Sequence, residues 1–238
     1  MSRKLTGKSD RIAGSLIKDI LSGRHRVTER LPSERDLAAS FDTSRGAVRE
    51  SMKKLEQLGL VDVQPGGARV RDRSEASVDV IRHLLDQSDA PDIQLIDQCV
   101  ILIDGLMSVA AEQTLRHAST SEIAEIRELA RALADGVDDE DTHVLARFEL
   151  MHSMMVASRN LPLQLVSNSL LDQLRPQLLS LAPYFETDYE AWSKLALQLD
   201  RAIEQEDSVA LRASISGISD LNRTTLKHAY ESVMALEA

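Results

Sequence analysis

Residues 31–60, LPSERDLAASFDTSRGAVRESMKKLEQLGL, decide the fold. Pro32-Ser33 opens a helix: Ser33 can accept from the free N–H groups of the first turn, and Asp36 stands where the reciprocal acid of a capping box belongs. Leu37 and Ala38 face inward, and Phe41 closes the turn. Thr43 or Ser44 then caps a second helix, whose apolar positions Val48, Met52, Leu55 and Leu58 recur every three or four residues. Gly59 ends it, as glycine does just past a helix terminus. Arg45, Arg49 and Lys53 form a stripe a quarter turn or more away from that apolar face. Positive charge in a first turn opposes the helix dipole. The same arrangement suits an anion, because N–H groups, the Ser44 hydroxyl and guanidinium groups would converge on a phosphate or a guanine edge. Taken alone, the stripe also reads as a solvated charged face.

The flanks add a context. Upstream, Ile12, Leu16, Ile17, Ile20 and Leu21 share one face of a helix from Ser9 to Ser22, which Gly23 stops. RHRVTERL connects it to the helix pair and carries Arg24, Arg26 and Arg30. Downstream, the β-branched runs LVDVQ and ARVRD flank Pro65-Gly66-Gly67 and predict a hairpin, with positive φ open to both glycines. Three helices and a basic hairpin carrying Arg69, Arg71 and Arg73 make a winged helix-turn-helix. Its second motif helix would enter the major groove, and its wing would reach phosphates or the minor groove.

Charge divides the chain in the same way. The net charge of −10 argues against nucleic acid, but residues 1–75 hold 16 Lys and Arg against 11 Asp and Glu, whereas residues 76–238 hold 12 against 27. A basic head on an acidic body follows, with the polar DRSEA at 72–76 as linker. The predicted domains are therefore a DNA-binding domain, 1–75, and an all-helical domain, 76–238.

The body shows no period-2 alternation, and its apolar spacing predicts seven helices. They are about Ser77–Gln87, Asp92–Ala118, the segment TSEIAEIRELARALA capped by Thr120 or Ser121, Thr142–Ser158, a helix with Pro162 in its first turn, Asp188–Gln205, and a last helix capped by Asp207. The second is apolar on most sides and is expected to be the central buried helix. Pro176 should kink or divide the fifth. DGVDDED reads as a solvated acidic loop without EF-hand spacing. Cys99, the single cysteine, sits in an apolar run and is expected to be buried and inert. No N-terminal signal core and no apolar run near the roughly 20 residues that cross a bilayer are apparent, so a cytoplasmic protein is expected.

The head resembles the winged helix of GntR-type bacterial transcription regulators. The resemblance rests on Pro32, Ser33, Glu34, Arg35, Leu37, Ala38, Ser44, Arg45, Val48, Arg49, Leu55, Glu56, Gly59 and Leu60. It implies DNA contacts at Arg35, Thr43, Ser44, Arg45, Arg49 and the wing glycine Gly66. Gly46, Met52 and the wing's Gly67-Ala68 depart from the pattern and bear on base preference. The body is similar to the helical effector domain of the FadR-like branch, through ARFELMHSMMVASRNLPLQLV and AIEQEDSVALRASI. This implies a homodimer that reads a palindromic operator under the control of a small effector.

Many such relatives hold a metal with one Asp and three His. Only His152 matches; Phe148, Ala196 and Ile218 stand at the other ligand positions. Glu149 and His152 alone make a poor site, so no metal and no cofactor are expected. The Arg that binds carboxylates in relatives is also missing from Cys99–Ile103. The expected effector pocket is therefore apolar, built from Met107, Phe148, Met151, His152 and Met155, and suited to a long-chain acyl-CoA or similar apolar ligand. A small organic acid, or a metal-dependent ligand-binding module, is the alternative. Simple core packing would also explain the methionines. No phosphate-binding Gly-rich loop and no Gly-x-Ser-x-Gly elbow occur, and no enzymatic activity is expected.

Overall fold

The computed structural model describes residues 7–87, 92–136 and 140–237. The first six residues and the centre of the acidic loop, 137–139, lie outside them. The chain forms two compact units, 1–89 and 90–238.

The first unit contains helices α1 (Lys8–Leu21), α2 (Glu34–Ser40) and α3 (Arg45–Gln57), the antiparallel strands β1 (Val61–Gln64) and β2 (Gly67–Val70), and the short helix α4 (Val80–Leu85). Its core gathers the apolar stripes of the three helices, among them Ile12, Leu16, Leu37, Val48 and Leu55, together with Val61 and Val70 from the strands. Burying a side chain of this size stabilises by roughly 1.5–3 kcal/mol, so the stripes hold the unit together. Ser33 caps α2 through the N–H of Asp36 at 3.3 Å. The Asp36 carboxylate accepts from the Ser33 hydroxyl at 2.6 Å, whereas a capping box would direct it to the Ser33 backbone. Ser44, not Thr43, caps α3, accepting from the N–H of Ala47. The 72–76 stretch is ordered as a 3₁₀ turn over Arg73–Glu75, which Asp72 caps. Val80 joins the head core and Leu84 packs against it, so the first of the seven C-terminal helices, α4, falls in this compact unit.

The second unit contains α5 (Ile93–His117), α6 (Thr120–Asp135), α7 (Glu140–Ala157), α8 (Leu161–Leu181), α9 (Tyr189–Glu204) and α10 (Ser208–Glu237). α5 packs on α7, α8 and α10, α6 on α7 and α9, and α9 on α10. The caps follow side-chain chemistry: Asp92, Ser119, Asn160 and Asp188 each accept from an N–H of the first turn. Ser119 with Glu122 forms a complete capping box, one or two residues before the expected Thr120 or Ser121. α8 runs unbroken through Pro176, so the proline does not divide it.

α5 corrects one expectation. At 25 residues and a mean hydropathy of 1.6 it is long and apolar enough to cross a membrane, by length and composition. Only 33% of its most apolar window is buried, so it packs through one stripe and is not the helix buried on most sides that its composition suggests. Ile96, Cys99, Val100, Ile103, Met107 and Ala110 are buried, and Asp97 is forked onto Arg223 of α10 at 2.6 and 3.1 Å. Arg127 and Arg131 likewise tie α6 to Asp200 of α9, at 2.7 and 3.0 Å. Burial works against the Asp200 carboxylate, but these hydrogen bonds prevail and keep its pKa below the ordinary value.

Candidate nucleic-acid interface and ligand cavity

The periodicity of α3 settles what it presents. Val48, Ser51, Met52 and Leu55 are buried, while Arg45, Gly46, Arg49 and Lys53 are exposed. Arg35 is exposed in the first turn of α2, and Thr43 is half-buried in the turn between the helices. Arg49 donates from Nε and Nη2 to the two carboxylate oxygens of Glu34, at 3.1 and 3.0 Å. The hydrogen bond from Arg49 holds the Glu34 carboxyl below its ordinary pKa. Lys53 pairs with Glu50 at 3.0 Å, and Arg35 lies 3.6 Å from Asp36. Among the described residues Arg45 has no carboxylate partner. It sits where the N–H groups of α3 emerge, so that end of the helix is open to an anion.

The wing lies on the same unit. β1 and β2 pair in the register Val61 to Val70 and Gln64 to Gly67, around the turn at Pro65-Gly66. Gly66 and Gly67 have φ of +108° and +130°, as their position in the hairpin required. Gly66 is exposed, as a groove contact must be. Residues 28–31 run along the free edge of β2: Thr28 N–H donates to Val70 O, Val70 N–H to Glu29 O, and Leu31 N–H to Ala68 O, at 2.8–2.9 Å.

The second unit holds a partly open cavity of about 180 Å³ between α5, α7, α8, α9 and α10. Of the expected pocket residues, Met107, Phe148 and Met151 line it, and His152 and Met155 do not. His152 is about 100° round α7 from Met151 and is exposed. Met155 lies one turn farther along, buried with its sulfur 3.6 Å from the Ser167 hydroxyl. The walls are mostly apolar, as expected, but two arginines, Arg147 and Arg175, also line the cavity. Arg147 carries the unexpected chemistry. Its guanidinium carbon stands 5.0 Å from the centre of the Trp192 ring, and its hydrogen bonds are long, 3.4 Å to Asn222 Oδ1 and 3.5 Å to Glu140 Oε1. Burial pushes its pKa down. Glu140 is better matched elsewhere, accepting from Thr187 at 2.7 Å and from Tyr189 at 2.9 Å. The signal for Arg147 was present in the sequence, since it shares the helical stripe of Val144, Phe148, Met151 and Met154.

The donor set does not fit a metal. Phe148 and Ile218, at two of the ligand positions of metal-binding relatives, give the cavity apolar wall. Among the described residues no three His, Cys, Asp or Glu side chains are grouped to hold an ion.

Comparison with known proteins agrees with the head. Residues 8–70 match the family described as "Bacterial regulatory proteins, gntR family". The chain is 42% identical over 80 residues to the HTH-type transcriptional regulator Mce2R of Mycobacterium tuberculosis, covering 33% of each chain. It is 43% identical over 63 residues to the Uxu operon transcriptional regulator of Escherichia coli, covering 26% of this chain and 24% of that protein. Such matches span about a third of the length of the curated relatives or less. Two solved structures share the fold over nearly the whole chain. E. coli McbR/YncC has a TM-score of 0.53 at 16% identity, over 95% of this chain and 100% of that one. Lar of Listeria monocytogenes has a TM-score of 0.54 at 14% identity, over 96% and 99%. The family match covers the head, and the likeness to the two solved structures is one of fold.

Proposed function

We propose that the chain is a sequence-specific DNA-binding transcription regulator of the GntR type, acting as a homodimer under the control of a small effector. The observation that carries the reading is α3: a helix capped by Ser44, apolar face buried, with Arg45 and Arg49 exposed over its first turns. A helix of this kind reads major-groove edges with its N-terminal residues. Arg35, Thr43, Ser44 and Gly66 would position it on phosphates and at the wing. In the division of labour proposed here, residues 1–75 bind DNA, α4 packs with them, and α5 to α10 bind the effector and the second copy. A dimer is supported by α5, where Ile101, Leu102 and Val109 are exposed around Gly105. An apolar helix face left in water suits an interface.

The cavity supports the effector half and bears on its chemistry. Its apolar walls suit an acyl chain. Its volume of about 180 Å³ is below the roughly 300–1,000 Å³ of pockets for drug-sized ligands. With Arg147 loosely held in the wall, a compact acid with an apolar body fits better than a long-chain acyl-CoA. The effector would act through unequal affinity for the DNA-competent and DNA-incompetent states, and operator DNA would change effector affinity by the same factor.

Selection of duplexes from a random pool with the full-length protein, followed by fluorescence anisotropy over a salt series, tests the DNA reading. An enriched palindrome and a steep fall of log affinity with log salt are expected. No enrichment, or a flat salt response, overturns it.

A further inference from the structure

Gly67 is a glycine for a reason beyond its backbone angle. A β-carbon on it would fall 2.7 Å from Nε and 3.1 Å from Nη2 of Arg30, and one on Gly66 would fall 3.6 Å from Nη2. The Arg30 guanidinium therefore lies against the bare backbone of the wing turn. It arrives from outside the wing, on the 28–31 segment that edges β2, where Arg30 bridges to Arg69. The turn glycine Gly66 and the first strand residue Gly67 make the seat, and the flanking backbone bonds fix the approach.

The charge placed there is not neutralised. Arg24, Arg49 and Arg71 are paired with Asp19, Glu34 and Glu75, and Arg69 donates to the Thr28 carbonyl. Arg30 is exposed, and among the described residues it makes no ion pair or hydrogen bond. A guanidinium spread over a glycine turn offers several donors beside two exposed backbone units, a fork suited to phosphate oxygens.

We infer that Arg30 is the wing's phosphate contact, a cation lent to the hairpin tip by the α1–α2 connection and seated in the space Gly67 leaves. The inference rests on the DNA-binding reading above. It explains why a wing whose tip reads Pro65-Gly66-Gly67-Ala68, with no cation in it, can still grip a polyanion. It also assigns Gly67 a role distinct from that of Gly66, which is to leave room for a side chain from another segment.

The test compares full-length wild type, Arg30→Gln and Arg30→Lys on the selected operator and on a scrambled duplex, across a salt series. For Arg30→Gln, a loss of roughly three- to tenfold is expected on both duplexes, with the salt slope reduced by about one. Arg30→Lys should keep the wild-type slope, which separates lost charge from a disturbed wing. Unchanged affinity and slope in Arg30→Gln, beside a steep wild-type slope, would overturn the inference alone. A loss confined to the operator would also overturn it, since it would point to a base contact. A wild-type protein that binds neither duplex would instead remove the DNA-binding reading itself.

Discussion

The Arg49 guanidinium forks onto the Glu34 carboxylate, Nε to Oε1 at 3.1 Å and Nη2 to Oε2 at 3.0 Å, and so joins α3 to the first residue of α2. The pair is exposed, and such pairs contribute roughly 0–1 kcal/mol to stability. Its value lies in orientation: two of the five donors of Arg49 are committed to Glu34, which fixes the guanidinium plane and leaves the other three for a ligand. The carboxylate also repels phosphate at that spot, which penalises a head docked out of register. Glu34→Gln is therefore expected to raise affinity for scrambled DNA and to lower the ratio of operator to scrambled affinity by roughly three- to tenfold. Anisotropy on the two duplexes reads the ratio, and an unchanged ratio would leave Glu34 without a role in recognition.

Arg49→Ala would remove the proposed base-reading group. Operator affinity should fall by one to two orders of magnitude, since a bidentate base contact is worth roughly 1–3 kcal/mol of discrimination. The midpoint of urea unfolding should hardly move, because the side chain is exposed. Undiminished operator binding would refute the assignment of α3 as the reading helix.

Gly46, in the first turn of α3, departs from the family pattern, and the structure shows what it leaves open. A β-carbon there would meet nothing closer than the Ser44 hydroxyl at 3.8 Å. No packing or positive φ calls for glycine at this position. Gly46→Ala should thus stabilise the head by about 0.5–1 kcal/mol. It should also weaken operator binding, because the methyl group would stand on the exposed face between Arg45 and Arg49 to which the duplex is proposed to dock. Thermal melts with operator titration check both. A stabilised variant with full affinity would show that the bare backbone is not used for close approach.

The head was legible in the sequence because its signals are local. Helix periodicity, the Ser33 and Ser44 caps, Gly59 and the Gly66-Gly67 turn each fix a few neighbouring residues, and together they fix the winged helix. The pairing of Arg49 with Glu34 spans 15 residues, and the seat of Arg30 joins the connection to the wing. Neither contact has a periodic signature. In the body, the apolar stripes marked the helices but not which stripe residues border a cavity. Met155 and Met107 look alike in sequence, yet one packs against Ser167 and the other faces the empty space. Arg147 stands on α7, and helical spacing alone does not tell an arginine that borders a cavity from one in solvent.

His143 supplies a prediction in pH. It is buried, edge-on to Tyr189 at 5.1 Å and to Trp192 at 5.4 Å, and among the described residues neither ring nitrogen has a hydrogen-bond partner. Burial first, and then the charge of Arg147, push its pKa down from 6.5 to about 4. Above pH 6.5 the imidazole is neutral folded and unfolded, so nothing is lost. Between 6.5 and about 4 the unfolded chain takes up a proton that the folded chain refuses, and stability falls as pH falls through that window. The loss approaches about 3 kcal/mol at its lower end. His143→Phe keeps an aromatic edge in place and removes the proton. Urea midpoints for both proteins at neutral pH and near pH 4.5 should therefore drop less in the variant. Equal drops would mean that His143 is protonated in the folded state.

Arg147 sets the last prediction, and its energetics are unusual. A buried guanidinium with hydrogen bonds of 3.4 and 3.5 Å is costly, and the Trp192 face offsets only part of that cost. Replacing it with a flexible apolar side chain should not destabilise the fold, because its main neighbour, Glu140, keeps Thr187 and Tyr189 as donors. Arg147→Met is thus expected to melt at the wild-type temperature or slightly above it, by up to about 1 kcal/mol in stability. If the guanidinium is held in reserve for a ligand's acid group, the gain in stability should be matched by a loss of binding. Short and medium-chain carboxylates should raise the wild-type melting temperature, their primary amides should not, and neither should shift Arg147→Met. Ligand stabilisation grows as the logarithm of concentration over Kd, so a titration separates specific binding from solvent effects. Amides that protect as well as the acids would remove the anion anchor and return the cavity to a purely apolar ligand.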